Sequence, residues 1–154
     1  MGYKEIFKSN KENYNLLDYD MARKNFNWWD DAFNKMDWLP GGGLNNAFEA
    51  VDRHVINGKG DKLAMIWVGK NQEEEKYTYL ELKQKSDNFG AVMRNLGIKR
   101  GDKVFIFMDR LPELYISALG ILKSGGVIAP LFSAFGPDPV KDRMEDAGAR
   151  YLIT

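Results

Sequence analysis

The sequence predicts an α/β protein with a parallel sheet and helices on its faces. Three segments in its second half are almost wholly apolar, and helical segments separate them. The apolar segments are residues 103–108, 127–131 and 151–153. Strands that are apolar without alternation are buried on both faces, which is typical of parallel sheets covered by helices. The chain of 154 residues is long enough for one ordinary domain.

Residues 1–43 differ in composition from the rest of the chain, because they are rich in Asn, Asp and Lys and also in aromatic residues. Apolar side chains recur there with the spacing of one helical face. They are Trp29, Phe33, Met36 and Leu39. Pro40 and the three glycines after it are expected to end this helix. We interpret residues 1–43 as a helical arm with an aromatic stripe, and residues 44–154 as an incomplete α/β subdomain.

A second helix is predicted over about residues 45–57, with Asn45 or Asn46 as its cap. Two short strands follow at 63–68 and 76–79, and the polar stretch GKNQEEE joins them. A link of this length favours an antiparallel hairpin, with the three glutamates at its exposed tip.

Thr78 and Glu81 form a capping-box pattern, in which each side chain accepts a hydrogen bond from the other residue's backbone N–H. The helix that begins there is expected to end just before Gly97, which occupies the position of a left-handed terminal residue. Two further helices are predicted over residues 112–124 and 136–147, and each is opened by a proline and followed by a glycine.

The composition argues against several classes of protein. Lys and Arg total 22 and Asp and Glu total 22, so the formal net charge is zero and non-specific nucleic-acid binding is not expected. No apolar run approaches the roughly 20 residues of a membrane helix, and no signal-peptide core is recognised. The lack of cysteine excludes disulfides and thiolate metal sites, and the single histidine excludes a multi-histidine metal centre. We therefore expect a cytoplasmic protein without membrane or nucleic-acid partners.

Two loops are the best candidates for ligand contact, because ligands of open α/β sheets gather beyond the carboxyl ends of the parallel strands. Those ends lead into residues 109–112 and 132–137. The second loop offers small residues flanked by aromatic side chains, which suits ligand contact and also suits helix entry and core filling. Neither loop carries a nucleophile, an acid–base pair or a set of metal ligands.

Other features have simpler structural interpretations. Gly41–Gly43 lacks the lysine and hydroxyl residue of a phosphate loop, so we interpret it as a flexible joint. His54 is expected to be a half-buried packing residue, since no acidic partner can be assigned to it. The glycines of residues 97–102 lie between a helix and a strand, the reverse of their order in a dinucleotide-binding motif. Trp67 and Tyr77 are interpreted as packing residues.

The chain ends on a predicted parallel strand with no helix after it. We therefore expect the sequence to be the front part of a longer protein, with one sheet face partly uncovered. Such a piece is expected to self-associate through its incomplete sheet. Two alternatives remain open at this point: a self-sufficient small α/β binding module, and an interaction piece that uses the aromatic arm.

Four segments of the second half occur in a characteristic order: YTYLEL, LGIKRGDKV, PELYISALGILKSGGVIAPL and a strand that ends in IT. Together they resemble the opening region of acyl-CoA synthetases of the adenylate-forming superfamily. Upstream, LNNAFEAVDRHV and KLAMIWVGKNQEEEKYTY are similar to acetyl-CoA synthetases in particular. The resemblance covers about residues 26–154 and implies the N-terminal subdomain of the adenylate-forming enzyme fold.

Members of that family use ATP and Mg²⁺ to convert a carboxylate into an acyl-adenylate, and coenzyme A then displaces AMP. The resemblance thus implies an acetate or other short-chain acyl-CoA ligase, whose partners are a small carboxylic acid, ATP and coenzyme A. The family's phosphate loop, metal residues and catalytic lysine have no counterpart here, so no catalytic or metal-binding residue is predicted and the piece is expected to be inactive. The family's loop beside the coenzyme A site corresponds to Phe132, Ser133 and Ala134, where Ser133 and Ala134 replace a glycine pair.

Overall fold

The computed structural model describes residues 18–39 and 41–154. Backbone contacts divide the chain into two units, residues 1–36 and residues 37–154. None of the helices in the described ranges is long and apolar enough to cross a lipid bilayer.

The described part of the smaller unit, from residue 18 onward, contains one short α-helix and one π-helical turn. Helix α1 spans Tyr19–Asn25, and the Asp18 carboxylate caps it by accepting the backbone N–H of Met21 at 2.9 Å. The π-helical turn spans Trp28–Ala32, and its cap is Asn27, whose side chain accepts the N–H of the second residue of the turn. Both helical starts therefore use a short polar side chain in the capping position.

The prediction that the aromatic helix continues to Leu39 is wrong, because the helical backbone ends at Phe33. The chain then turns, and Trp38 adopts a positive φ of 45°. The Glu49 carboxylate accepts the backbone N–H groups of Asp37, at 3.1 Å, and of Trp38, at 2.9 Å. In a continued helix, these two N–H groups would donate to helical carbonyls. Here they donate to the carboxylate of a residue that is more than ten positions away.

A helical run opens the larger unit, as predicted. The Asn45 side chain caps it by accepting the N–H groups of Ala47, at 2.9 Å, and Phe48, at 3.2 Å. The run contains two π-helical turns, Phe48–Asp52 and Val55–Lys59, the second of which is broken by a glycine of positive φ. Ala47 and Val51 are buried and fix the run against the rest of the unit.

The predicted antiparallel hairpin is present, with strand β1 at Leu63–Val68 and strand β2 at Glu74–Thr78. Strand β2 begins two residues earlier than predicted, and of the three glutamates only Glu73 lies at the tip. The Gly69 N–H donates to the Glu73 carbonyl at 2.8 Å, which closes the loop and starts the strand pairing at the next residue.

Helix α2 spans Tyr79–Asn95 and begins with the predicted capping box. The Glu81 carboxylate accepts the Thr78 N–H at 2.8 Å, and the Thr78 hydroxyl accepts the Glu81 N–H at 3.2 Å. Gly97 has a φ of 86°, the left-handed conformation predicted for the residue that ends this helix.

The rest of the unit is a three-stranded parallel sheet with two crossover helices. The elements are strand β3 at Lys103–Ile106, helix α3 at Pro112–Lys123, strand β4 at Val127–Pro130, helix α4 at Pro137–Ala147 and strand β5 at Tyr151–Ile153. The strand order is β4-β3-β5, and both pairs are parallel. The predicted α/β class, with a partial parallel sheet and a separate hairpin, is confirmed.

The core lies around the central strand β3. Val104, Phe105 and Ile106 are consecutive and all buried, which confirms that both faces of this strand are covered. The core side chains that surround it come from α2, α3 and the turn between α2 and β3. They are Met93, Ile98 and Ile121.

One face of the sheet is only partly covered near the edge strand β5. A groove of about 770 Å³ lies between α4 and β5. Its apolar lining includes Phe107, Val140, Met144 and Leu152. Leu152 is 37 % exposed, as expected for a sheet with an incompletely covered edge.

Helices α2 and α3 pack with their backbones in close contact. A Cβ atom at Gly120 would lie 2.9 Å from the Ser86 carbonyl oxygen and 3.0 Å from the Gly90 nitrogen. The Ser86 side chain is fully buried, and its hydroxyl donates to the Leu82 carbonyl oxygen at 2.6 Å. Only small residues are compatible with this approach of the two helices.

A buried lysine links three helical segments close to that contact. Lys123, at the end of α3, donates to Asp52 of the helical run at 2.6 Å and to Asp87 of α2 at 2.7 Å. Lys83 donates to the second oxygen of Asp87 at 2.6 Å. The Lys123 side chain is only 8 % exposed, so both carboxylates neutralise a charge that is largely shielded from water.

We predict that Lys123→Met destabilises the chain by about 3 kcal/mol, because the largely buried Asp52 carboxylate loses its cation and Asp87 keeps only Lys83. Urea unfolding followed by circular dichroism measures this change. The matched control is Lys141→Met, which breaks an exposed pair with Glu145 at 3.8 Å and is expected to change stability by less than about 0.5 kcal/mol. Equal stability of the Lys123→Met variant and the unmodified chain would contradict the prediction.

A pH-dependent contribution of Asp87 follows from the same network. Burial disfavours the ionised carboxyl, but the hydrogen bonds from Lys123 and Lys83 outweigh that effect and hold the pKa of Asp87 below its ordinary value of 3.8. Its contribution to stability is therefore present above that value and disappears as the pH falls through the lower, folded-state pKa. We expect the destabilisation caused by Asp87→Asn, measured by urea unfolding at several pH values, to shrink under acidic conditions. A destabilisation that grows as the pH falls would refute the assignment.

Candidate functional site

The carboxyl ends of β3 and β4 lie side by side, as the parallel arrangement predicts. Ile106 is opposite Pro130, and the Leu131 N–H donates to the Ile106 carbonyl at 2.8 Å. The two loops that leave these strands, residues 107–111 and 131–136, therefore start from one edge of the sheet. Ligands of open α/β sheets bind at this edge, which makes it the candidate site.

The loop after β3 is held by the hairpin. The Trp67 indole N–H, on β1, donates to the Arg110 carbonyl oxygen at 2.7 Å. Within the loop, the Leu111 N–H donates to the Asp109 carbonyl at 2.8 Å just before α3 begins. Sequence analysis interpreted Trp67 as a packing residue and missed this role, since the two partners are 43 positions apart.

The loop after β4 is a tight turn with an exposed corner. The Phe135 N–H donates to the Phe132 carbonyl at 3.0 Å, which places Ser133 and Ala134 at the corner, where both are exposed. The Phe132 ring is 66 % exposed and contacts the half-buried Phe135 ring edge-on, with the ring centroids 5.8 Å apart. The predicted site residues Phe132, Ser133 and Ala134 thus form one continuous exposed surface.

Arg143 of α4 lies next to this turn. Its guanidinium carbon is 4.4 Å from the centroid of the Phe135 ring, within the range of a cation–π contact. Its Nη1 donates to the Pro139 carbonyl oxygen, one helical turn earlier, at 2.9 Å. Sequence analysis did not single out Arg143. The sequence feature that could have identified it is a basic residue in the second turn of the helix that follows the loop.

The arrangement is suited to binding and not to covalent chemistry. It offers an exposed aromatic ring, two small residues that let a ligand approach the backbone, and one cation. Aromatic rings stack on planar groups, and arginine attracts phosphates. In the described part of the chain, no group of three or more His, Asp or Glu side chains is placed to hold a metal ion.

His54 has the structural role expected from the sequence. It lies in the helical run, away from the carboxyl ends of the parallel strands, and its ring centroid is 4.6 Å from that of Tyr79. Burial lowers the pKa of His54, and the positive charges of Arg53 and Lys59 lower it further. The ring is thus a neutral packing partner at physiological pH.

The two glycine segments are also structural. The Gly42 N–H donates to the Leu39 carbonyl at 2.9 Å and the Leu39 N–H donates to the Gly43 carbonyl at 2.8 Å, so both glycines are held against Leu39. Residues 97–102 connect α2 to the amino end of β3, at the sheet edge opposite the candidate site. The Lys99 N–H donates to the Asp102 carboxylate at 2.9 Å, and the Gly101 N–H donates to the Gly125 carbonyl at 2.9 Å.

Tyr77 of β2 makes a polar contact that its interpretation as a packing residue did not include. Its hydroxyl donates to the Glu75 carboxylate on the same face of the strand. This hydrogen bond, reinforced by burial, raises the pKa of Tyr77 to about 12. The contact lies within the hairpin and stabilises that element.

Comparison with known proteins finds relatives of this chain in sequence and in fold. The sequence pattern of the AMP-binding enzyme family matches residues 52–154. The acetyl-coenzyme A synthetase of Bacillus subtilis is 40 % identical over 142 residues, which are 92 % of this chain and 24 % of that protein. The 3-hydroxypropionyl-coenzyme A synthetase of Sulfurisphaera tokodaii is 32 % identical over 160 residues, covering 99 % of this chain and 24 % of that protein. The chain spans about a quarter of the length of these curated relatives.

Solved structures agree with this assignment. The crystal structure of an acyl-CoA synthetase from Brucella canis superposes with a TM-score of 0.78 at 28 % identity, over 87 % of this chain and 24 % of that one. The N-terminal subdomain of Klebsiella oxytoca NpsA superposes with a TM-score of 0.62 at 32 % identity, over 72 % of this chain and 28 % of that one. The predicted fold, an N-terminal subdomain of the adenylate-forming type, is therefore confirmed.

We predict that Trp67→Phe destabilises the chain by about 1 kcal/mol, because the Arg110 carbonyl loses the hydrogen bond from the indole N–H while an aromatic side chain stays at the position. The amide of Leu111 should exchange its hydrogen faster, which NMR hydrogen exchange measures. The control is Trp29→Phe. Trp29 is 73 % exposed, and this substitution is expected to lower stability by less than about 0.5 kcal/mol. Unchanged exchange at Leu111 in Trp67→Phe would argue against the link between hairpin and loop.

Proposed function

The chain belongs to the AMP-binding enzyme family, and on that premise we propose that it forms the amino-terminal part of an ATP-dependent acyl-CoA ligase. The observation that carries the proposal is the similarity to the Bacillus subtilis acetyl-coenzyme A synthetase, which extends over 92 % of this chain. The acid is acetate or another short-chain carboxylate. The similarity to a 3-hydroxypropionyl-coenzyme A synthetase supports a small acid.

The proposed reaction has two steps. A carboxylate oxygen attacks the α-phosphorus of ATP, so that an acyl-adenylate forms and pyrophosphate leaves. The coenzyme A thiol then attacks the acyl carbon, a thioester forms and AMP leaves with the electron pair of the broken bond. AMP is a far better leaving group than hydroxide, which is the reason for the first step.

The described residues do not fit the ATP and Mg²⁺ requirements of that reaction. They provide no cluster of metal-ligating side chains, and the candidate loops carry no nucleophile or acid–base pair. We assign ATP, Mg²⁺ and the chemical steps to other parts of such a ligase, and we expect the 154-residue chain alone to be inactive.

The proposed role of the loop after β4 is to contact coenzyme A. Phe132 presents a ring face to solvent, where it can stack on a planar base. Ser133 and Ala134 form the exposed corner of the turn, so an incoming group can approach the backbone. Both side chains are larger than glycine, and we therefore expect a looser contact than a glycine pair would give.

Further parts of the proposal concern organisation and location. We propose that residues 1–43 act as an arm and residues 44–154 as an incomplete α/β subdomain. The apolar groove beside β5 favours self-association of the isolated chain. We also propose a cytoplasmic location with no nucleic-acid or membrane partner, in keeping with the balanced charge of the chain.

A segment exchange tests the proposed ligase. We expect that this chain, put in place of the matching segment of the Bacillus subtilis enzyme, supports acetyl-coenzyme A formation with a loss of no more than about tenfold, or about 1.4 kcal/mol in the barrier. The same enzyme without the segment is the negative control and should be inactive. The isolated chain should give no acetate-dependent exchange of pyrophosphate into ATP. A folded but inactive chimera, or exchange by the isolated chain, would contradict the proposal.

A further inference from the structure

We propose that Arg143 is a positioning residue that holds the aromatic turn after β4 in the form that accepts coenzyme A. The inference rests on the proposed coenzyme A contact of that turn. Arg143 lies on α4, outside the turn, and acts on it through the Phe135 ring.

Two contacts fix the position of the Arg143 guanidinium. It lies over the Phe135 ring at 4.4 Å, and its Nη1 donates to Pro139 on the preceding turn of α4. The hydrogen bond fixes the side chain along the helix. No carboxylate among the described residues pairs with Arg143, so the aromatic ring is its principal partner beyond its own helix.

Phe135 connects Arg143 to the exposed surface of the turn. The Phe135 ring contacts the Phe132 ring at 84°, and the Phe135 N–H closes the turn onto the Phe132 carbonyl. Phe132 is itself exposed to solvent. The orientation of Phe135 therefore decides where Phe132 and the corner residues between them point.

A matched pair of contacts at the other end of α4 provides the control. The Arg150 guanidinium lies over the Tyr151 ring at 5.6 Å. Tyr151 is the first residue of β5, whereas the aromatic turn leaves the carboxyl end of β4. Arg150→Gln therefore removes a cation–π contact, together with an exposed ion pair to Asp102 at 3.7 Å, from a place that does not adjoin the turn.

The experiment uses the ¹⁵N-labelled 154-residue chain with two NMR readouts, hydrogen exchange of the Phe135 amide and titration with coenzyme A. We expect Arg143→Gln to speed exchange at Phe135 by about two- to fivefold, the factor that an exposed cation–π contact is worth, and to weaken coenzyme A binding by a similar factor. Arg143→Lys keeps a cation over the ring, so its exchange rate at Phe135 and its affinity for coenzyme A should stay close to those of the unmodified chain. Arg150→Gln should leave both unchanged.

A ring-dependence test separates positioning from a merely structural role. In a Phe135→Leu background, Arg143→Gln should have no further effect on coenzyme A binding, because its target ring is gone. If Arg143→Gln weakens coenzyme A binding equally with and without the Phe135 ring, the inference is overturned. Unchanged hydrogen exchange of the Phe135 amide in Arg143→Gln would also overturn it. If coenzyme A shifts no resonance of the turn in the unmodified chain, the proposed coenzyme A contact fails, and the inference fails with it. That failure is distinguishable, because exchange at Phe135 would still respond to Arg143→Gln.

Discussion

The close approach of helices α2 and α3 is the constraint on which the rest of the larger unit depends. Gly90 and Gly120 face each other so closely that an added Cβ at Gly120 would lie 3.0 Å from the Gly90 nitrogen. Helix α3 is also the crossover between β3 and β4. Its position against α2 therefore decides where both strands lie and where both loops at their carboxyl ends emerge.

The buried polar network and the candidate site are located at opposite ends of α3. At its carboxyl end, Lys123 gathers Asp52 and Asp87, and the Asn45 side chain donates to the Leu122 carbonyl at 2.8 Å. These polar contacts are mostly shielded from water and satisfy groups that burial would otherwise penalise. Beyond its amino end, at the carboxyl ends of β3 and β4, lie the two loops of the candidate site, and the loop after β4 exposes Phe132, Ser133 and Ala134.

Both loops at the candidate site are held by side chains from outside the parallel sheet. Trp67 of the hairpin holds the loop after β3 through a backbone carbonyl, and Arg143 of α4 contacts the loop after β4 through the Phe135 ring. Loops that lie on a rigid scaffold and are held in this way lose less entropy when they bind a ligand. A short insertion in either loop would thus disturb one of these two contacts.

The sequence by itself determined the features that depend on neighbours within a few residues. The Thr78 and Glu81 capping box, the Asn45 cap, the left-handed Gly97 and the apolar strand β3 all follow from local hydrogen bonding, backbone sterics or unbroken hydrophobicity. Only the tertiary structure decided the strand order and the early end of the aromatic helix, where Glu49 captures distant backbone donors. The same holds for the contacts that hold the two loops. These features depend on which distant residues come into contact once the helices pack. The energy of those contacts cannot be predicted from a local sequence pattern.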